Sequence, residues 1–82
     1  MTRTADTESL VRYLVTSLVE NPDGVSIARK ESGSTVSFEV SVDADDVGKV
    51  IGRQGRIIKA IRTVVRAAAS VNGDQVDVDV LG

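Results

Sequence analysis

The stretch Val50–Arg62 reads VIGRQGRIIKAIR, in which two glycines separate an apolar helix end from the start of a second helix. Glycine lets the backbone turn sharply, and because it has no Cβ a phosphate group can approach the main chain closely. The helix that follows presents unpaired N–H groups and a partial positive charge at its first turn. Gly52 and Gly55 therefore predict an anion-binding turn. Arg53 adds a cation and Gln54 a hydrogen-bond donor at its exposed tip.

Charge is distributed unevenly around this turn. The chain has 10 Lys plus Arg and 12 Asp plus Glu, for a formal net charge of −2. The segment from 47 to 73 has no acidic residue and contains Lys49, Arg53, Arg56, Lys59, Arg62 and Arg66. It carries +6, so the rest of the chain carries −8. Charge alone favours a solvated helix face, but together with the glycine turn it indicates a surface for an anionic ligand. Arg62 and Arg66 lie a turn or more beyond the loop, and we expect them to be solvated.

Hydrophobic periodicity predicts the element order α-β-β-α-α-β. The elements are a helix over Thr7–Glu20, strands over Val25–Glu31 and Val36–Val42, helices over Ala44–Ile51 and Arg56–Val71, and a strand over Val76–Val80. The hairpin is antiparallel, and the helical crossover makes the second and third strands parallel. We therefore expect one α+β domain over residues 1–82, with a three-stranded mixed sheet covered on one face by helices.

Side-chain types predict the surfaces of these elements. Tyr13 and Phe38 are expected in the core. The long helix should pack on the sheet through Ile57, Ile58, Ile61, Val64, Val65 and Ala68. A narrow stripe of small residues, Ala60, Thr63 and Ala67, is expected to contact the first helix, with a dimer seam as the alternative. The outer face of the sheet is acidic and lacks aromatic residues, which excludes base stacking there.

Composition excludes several function classes. The chain has no Cys and no His, which rules out a disulfide scaffold, a zinc finger, a thiol nucleophile and a histidine acid–base catalyst. The glycine turn is too short for a Walker loop. Capping of the short helix explains Asp43, Asp45 and Asp46 more simply than a metal. We expect no catalytic residue, cofactor or metal. No apolar run approaches the ~18 residues of a membrane span, so a soluble cytoplasmic protein is expected.

The quoted stretch resembles the V-I-G-x-x-G-x-x-I-K-x-I signature of KH RNA-binding domains. The predicted element order is similar to their type II, prokaryotic arrangement. The chain length and the run Ile61–Ala69 resemble the KhpA family of small bacterial KH proteins. The resemblance covers about Glu8 to Leu81. Ala44 is a mild departure, because relatives often carry proline there.

The resemblance implies a protein that binds single-stranded RNA, as a post-transcriptional regulator or RNA chaperone. It also implies a homodimer, or a heterodimer with the KH-R3H protein KhpB, also called Jag or EloR. KH domains hold about four nucleotides between the loop and an apolar groove. Carried over to this chain, the phosphate contacts fall on Gly52, Arg53, Gln54 and Gly55, with Lys49, Arg56 and Lys59 around them. The groove floor falls on Val50, Ile51 and Ile58, with the strand edge near Val40–Val42 opposite. For Ile51 and Ile58 a core role is an equal alternative.

Two other functions stay open. The chain could be a protein-interaction module in which nucleic-acid contact is incidental. It could also bind single-stranded DNA, because no residue identifiable in the sequence reads a 2′-hydroxyl.

Overall fold

A three-stranded mixed sheet with helices packed on one face forms the fold, as predicted. The computed structural model describes residues 3–71 and 73–81. The helices are α1 (Arg3–Thr16), α2 (Val47–Ile51) and α3 (Arg56–Val71), and the strands are β1 (Ser26–Ser32), β2 (Thr35–Ser41) and β3 (Gln75–Leu81). Single 3₁₀ turns lie at Pro22–Gly24, Ala44–Asp46 and Arg53–Gly55.

The strand order is β1-β2-β3, with β1 and β2 antiparallel and β2 and β3 parallel. Gly33 has φ 62° in the hairpin turn, where glycine meets no steric cost. β2 is the central strand, so it has no free edge. The expected groove wall at Val40–Val42 therefore has no free strand edge, and the free edge on the side of α3 belongs to β3, along which α3 packs.

The core lies between the helices and one face of the sheet. Phe38 is fully buried, as expected, and α3 buries Ile58, Ile61, Val65 and Ala69. The predicted stripe on α3 is only partly correct, because Val64 and Ala68 are exposed. The other buried apolar residues are Val11, Val15, Val40, Val50, Val76 and Val78.

Two expectations about the packing of α1 are wrong. Tyr13 is 69% exposed, so it is a surface residue. The small stripe of Ala60, Thr63 and Ala67 is also exposed, so α1 does not cover it, although Ala60 lines a groove that Leu14 of α1 also lines.

The first helix also begins and ends earlier than the sequence predicts. It begins at Arg3, so Thr7 is buried inside it and does not mark its start. It ends at Thr16, where the hydroxyl of Thr16 donates to the Arg12 carbonyl (2.7 Å) and that of Ser17 to the Tyr13 carbonyl (2.6 Å). Such side-chain bonds compete with continuation of the helix.

The segment before α2 differs from the predicted single helix. Residues Ala44–Asp46 form a 3₁₀ turn, and the Asp43 side chain makes no capping hydrogen bond. Asp46 is fully buried instead of standing in solvent at a helix start. Its carboxylate has the role in tertiary structure described below.

Candidate nucleic-acid interface

The glycine turn between α2 and α3 has a backbone that few sequences can adopt. Gly52 has φ 76° and ψ 171°, Gly55 has φ 72°, and Gln54 also has a positive φ of 59°. The Gly52 amide donates to the Gly48 carbonyl (2.9 Å), and the Gly55 amide donates to the Gly52 carbonyl (3.1 Å). A Cβ on Gly52 would lie 2.6 Å from Cγ1 of Ile57. The turn therefore requires glycine at its first position for both conformation and space.

Exposed cations surround the tip of this turn. Arg53 and Gln54 are exposed, as expected, and so are Arg56 and Lys59 on the first turn and a half of α3. Arg56 Nη2 donates to Gln54 Oε1 at 3.3 Å. Among the described residues, the charged ends of Arg53 and Lys59 have no hydrogen-bond or ion-pair partner. With no acidic residue in the first turn of α3, this surface is suited to an anion.

Lys49 is held away from the tip by two carboxylates. Its Nζ donates to Glu20 Oε1 at 2.9 Å and to Asp46 Oδ1 at 3.2 Å. The hydrogen bond to Glu20, followed by that to Asp46, raises the pKa of Lys49. Lys49 therefore joins α2 to the connector after α1, which the sequence did not indicate.

Asp46 is the centre of this connection. Its carboxylate accepts from the Glu20 amide (3.1 Å), the Asn21 amide (3.0 Å), Asn21 Nδ2 (3.1 Å) and Lys49 Nζ. Burial favours the neutral acid, but the hydrogen bonds from Glu20, Asn21 and Lys49 outweigh it and lower the Asp46 pKa to about 2. Its partners in the connector lie 25 and 26 residues earlier, so no local pattern could have revealed its role.

The residues expected in the groove floor differ in their exposure. Val50 has no exposed surface and Ile58 is 7% exposed, so both belong mainly to the core. Ile51 is half-buried beside the turn. Of the three, Ile51 offers the most surface to a ligand.

Arg62 and Arg66 form ion pairs with aspartates of β3, whereas the sequence predicted that water alone surrounds their charged ends. Arg62 Nε donates to the Val78 carbonyl and its Nη2 to Asp79 Oδ1, both at 2.8 Å. Arg66 forms an ion pair with Asp77. The two arginines thus extend from α3 around the edge of β3. A cavity of about 440 Å³ lies there, lined by Lys59, Arg62, Thr63, Arg66, Asp77 and Asp79.

An apolar groove of about 310 Å³ lies on the other side of α3, against α1. Val64 and Leu18 at its wall are 47% and 37% exposed. Its lining residues are Leu14, Leu18, Arg56, Ile57, Ala60, Ile61 and Val64.

Within residues 3–71 and 73–81, every helix is too short or too polar to span a bilayer. The acidic residues described there form no group of three or more that could hold a metal ion.

Comparison with known proteins identifies the family. A family model described as KhpA/KhpB, KH domain, matches residues 8–80. The chain belongs to the KhpA/KhpB family of KH domains. RNA-binding protein KhpA of Halalkalibacterium halodurans is 42% identical over 74 residues, which cover 90% of this chain and 97% of that protein. RNA-binding protein KhpA of Bacillus subtilis is 41% identical over 73 residues, covering 89% and 90% of the two chains.

Among solved structures, this KH domain is similar to part of Era from Aquifex aeolicus in complex with GDP and aluminium fluoride. The TM-score is 0.65 at 20% identity, and the match covers 90% of this chain and 29% of the Era chain. At that identity the similarity concerns the fold alone. The element order and the mixed sheet are those of a type II KH fold.

Proposed function

We propose that this KH domain binds single-stranded RNA, with the turn Gly52–Gly55 against the phosphates. Its main support is that the charged ends of Arg53 and Lys59 are exposed beside the turn and have no partner among the described residues. Arg56 completes the cationic rim, and its only side-chain bond to a described residue is a 3.3 Å contact with Gln54 in the turn itself. Two relatives that are more than 40% identical carry the name RNA-binding protein. On this proposal the domain acts in the cytoplasm as a post-transcriptional regulator or RNA chaperone.

The other predicted site residues contribute to RNA binding in different ways in this proposal. Lys49 adds only long-range attraction, because two carboxylates hold its ammonium group. The bases lie over the exposed part of Ile51 and the small exposed area of Ile58, while Val50 supports them from the core. β3 replaces β2 as the strand that borders the bound RNA.

The test is a double substitution at the tip of the turn, Arg53→Asp with Gln54→Asp. Aspartate tolerates the positive φ of position 54 better than most residues, so the turn keeps its shape. One phosphate contact on a single strand is worth about fivefold in affinity at ~0.1 M salt, from a salt slope of about 0.7 per contact. Loss of the arginine and gain of two carboxylates should weaken binding at least tenfold, as measured by fluorescence anisotropy with short mixed-sequence RNA.

A matched control changes the net charge equally on α1. Ser9→Glu with Arg12→Glu alters two exposed helical positions and should leave RNA affinity within about twofold of the parent. If the turn variant is folded and binds RNA as the parent does, the turn is not the RNA site. Repeating the titrations with DNA of the same sequence separates RNA binding from general single-strand binding.

The apolar groove between α1 and α3 supports a second candidate function, pairing with another KH domain. Its wall exposes Val64 and Leu18, and the neighbouring small residues Ala60 and Ala67 would let a partner helix approach closely. We propose that this face binds a second copy of the chain or the KH domain of a KhpB-like protein. Such pairing would raise the affinity of two weak RNA sites through effective concentration.

Sedimentation equilibrium tests the pairing. The parent chain, or its mixture with a KhpB-like protein, should sediment as a dimer, and Ala60→Glu with Val64→Glu should abolish dimerisation. Ser70→Glu, at another exposed position of α3, serves as the control. A parent chain that stays monomeric at high concentration, alone and in the mixture, contradicts the pairing proposal.

A further inference from the structure

The edge of the sheet beside α3 holds a charged cavity whose arginines the proposed function does not use. Arg62 and Arg66 line it from α3, and Asp77 and Asp79 line it from β3. β3 is an edge strand, so nothing in the described part of the fold covers this side.

The arginines on this edge are held by contacts that a phosphate could replace. Asp79 is 64% exposed, and Asp77 and Arg66 are each about half exposed. Ion pairs at such exposure are weak, because water screens both charges. Arg62 is the more buried cation, and it is also anchored by a separate hydrogen bond from its Nε to the Val78 carbonyl.

The cavity shares Lys59 with the cationic rim of the turn. Lys59 lines the cavity and lies one helical turn from Arg56. The line of cations along α3 from Arg56 to Arg66 is about 15 Å long at 1.5 Å per residue. A strand held at the turn could therefore reach Arg62 and Arg66 by way of Lys59.

We propose that this edge binds the phosphodiester backbone of RNA beyond the nucleotides held at the turn. Asp77 and Asp79 compete with that backbone for Arg66 and Arg62. The two carboxylates therefore weaken RNA binding at the edge until a longer strand displaces them. This inference rests on the proposed function of the turn. It predicts that removal of the carboxylates strengthens binding, whereas a purely structural role of the ion pairs predicts no such gain.

The experiment compares mixed-sequence RNA tetranucleotides and dodecanucleotides by fluorescence anisotropy over a range of salt concentrations. Asp77→Asn with Asp79→Asn keeps the side-chain shape and releases both arginines. Dodecanucleotide affinity should rise by up to about fivefold for each released arginine at ~0.1 M salt, and the salt slope should steepen by up to about 0.7 for each. Tetranucleotide affinity should rise no more than in the control variant.

The control is Asp23→Asn with Glu31→Gln, which changes the net charge equally at exposed positions and releases Arg29 on β1 from its ion pair. The reverse variant, Arg62→Gln with Arg66→Gln, should weaken dodecanucleotide binding to the level of the tetranucleotide. Thermal unfolding of each variant confirms that it is folded.

The outcomes separate this inference from the proposed function. If Asp77→Asn with Asp79→Asn gains no more than the control, or if Arg62→Gln with Arg66→Gln binds the dodecanucleotide as the parent does, the edge is not an RNA site. In that case the ion pairs serve to protect the strand edge. If the turn variant at positions 53 and 54 retains both RNAs, the proposed function itself fails.

Discussion

Individual residues fix the shape of the turn, and the two glycines do so for different reasons. Gly52 combines a positive φ with a Cβ position that Ile57 already fills. Gly55 has a similar φ, but the nearest atom to its Cβ position is 3.9 Å away, in Ile58. The sequence predicted that both glycines are needed for a sharp turn. It could not show that only Gly52 is also constrained by packing.

This difference gives a stability prediction. Gly55→Ala should cost about 1–2 kcal/mol, which is the strain of a left-handed residue with a Cβ. Gly52→Ala adds a steric collision with Ile57 and a backbone conformation (φ 76°, ψ 171°) that is essentially restricted to glycine, so its cost should exceed that of Gly55→Ala by about 1 kcal/mol or more. Urea unfolding of the two variants measures both values. Equal costs would contradict the packing argument.

The buried carboxylate of Asp46 gives a prediction for pH. Its folded pKa is about 2, below the ordinary value of 3.8, so its stabilisation is complete above the unfolded pKa and is lost as the pH falls toward 2. The parent should therefore lose stability between about pH 4 and pH 2. Asp46→Asn should be less stable at neutral pH and less sensitive to pH in that window. Urea titrations at a series of pH values test this, and parallel profiles for the two proteins would contradict it.

At the scale of elements, the sequence predicted the type and order of every helix and strand but misjudged some faces and ends. Strand alternation identified Val76 and Val78 as core residues because a strand has only two faces. On α3 the apolar residues outnumber the positions that the sheet can cover, so periodicity could not choose between Val64 and Val65. The end of α1 coincides with hydroxyl bonds at Thr16 and Ser17, which the spacing of the leucines does not indicate.

A pair of neighbouring substitutions on α3 tests which face packs on the sheet. Val65 is fully buried, so Val65→Ala removes two buried methyl groups and should cost about 2 kcal/mol. Val64 is 47% exposed, and alanine is the better helix former, so Val64→Ala should change stability by at most about 0.5 kcal/mol. Chemical denaturation of the two variants measures both changes in the free energy of unfolding. Similar losses at both positions would contradict the orientation of α3.

Across the whole molecule, positive and negative side chains are concentrated on different sides. The helical side carries the cations around the turn, while the outer face of the sheet carries Glu39, Asp77 and Asp79. The sequence predicted this separation from the segment of +6 charge and from strand alternation. It could not predict that Arg62 and Arg66 reach around β3, because those contacts depend on the distance between α3 and the sheet edge.

RNA binding at the glycine turn is tested most directly by titrating the ¹⁵N-labelled chain with short single-stranded RNA and following the amide chemical shifts. If RNA binds there, the largest shifts are expected at the amides of 52–59, with smaller ones along β3 and none on β1. Shifts confined to the outer face of the sheet or to the groove between α1 and α3, with the turn unchanged, would contradict it.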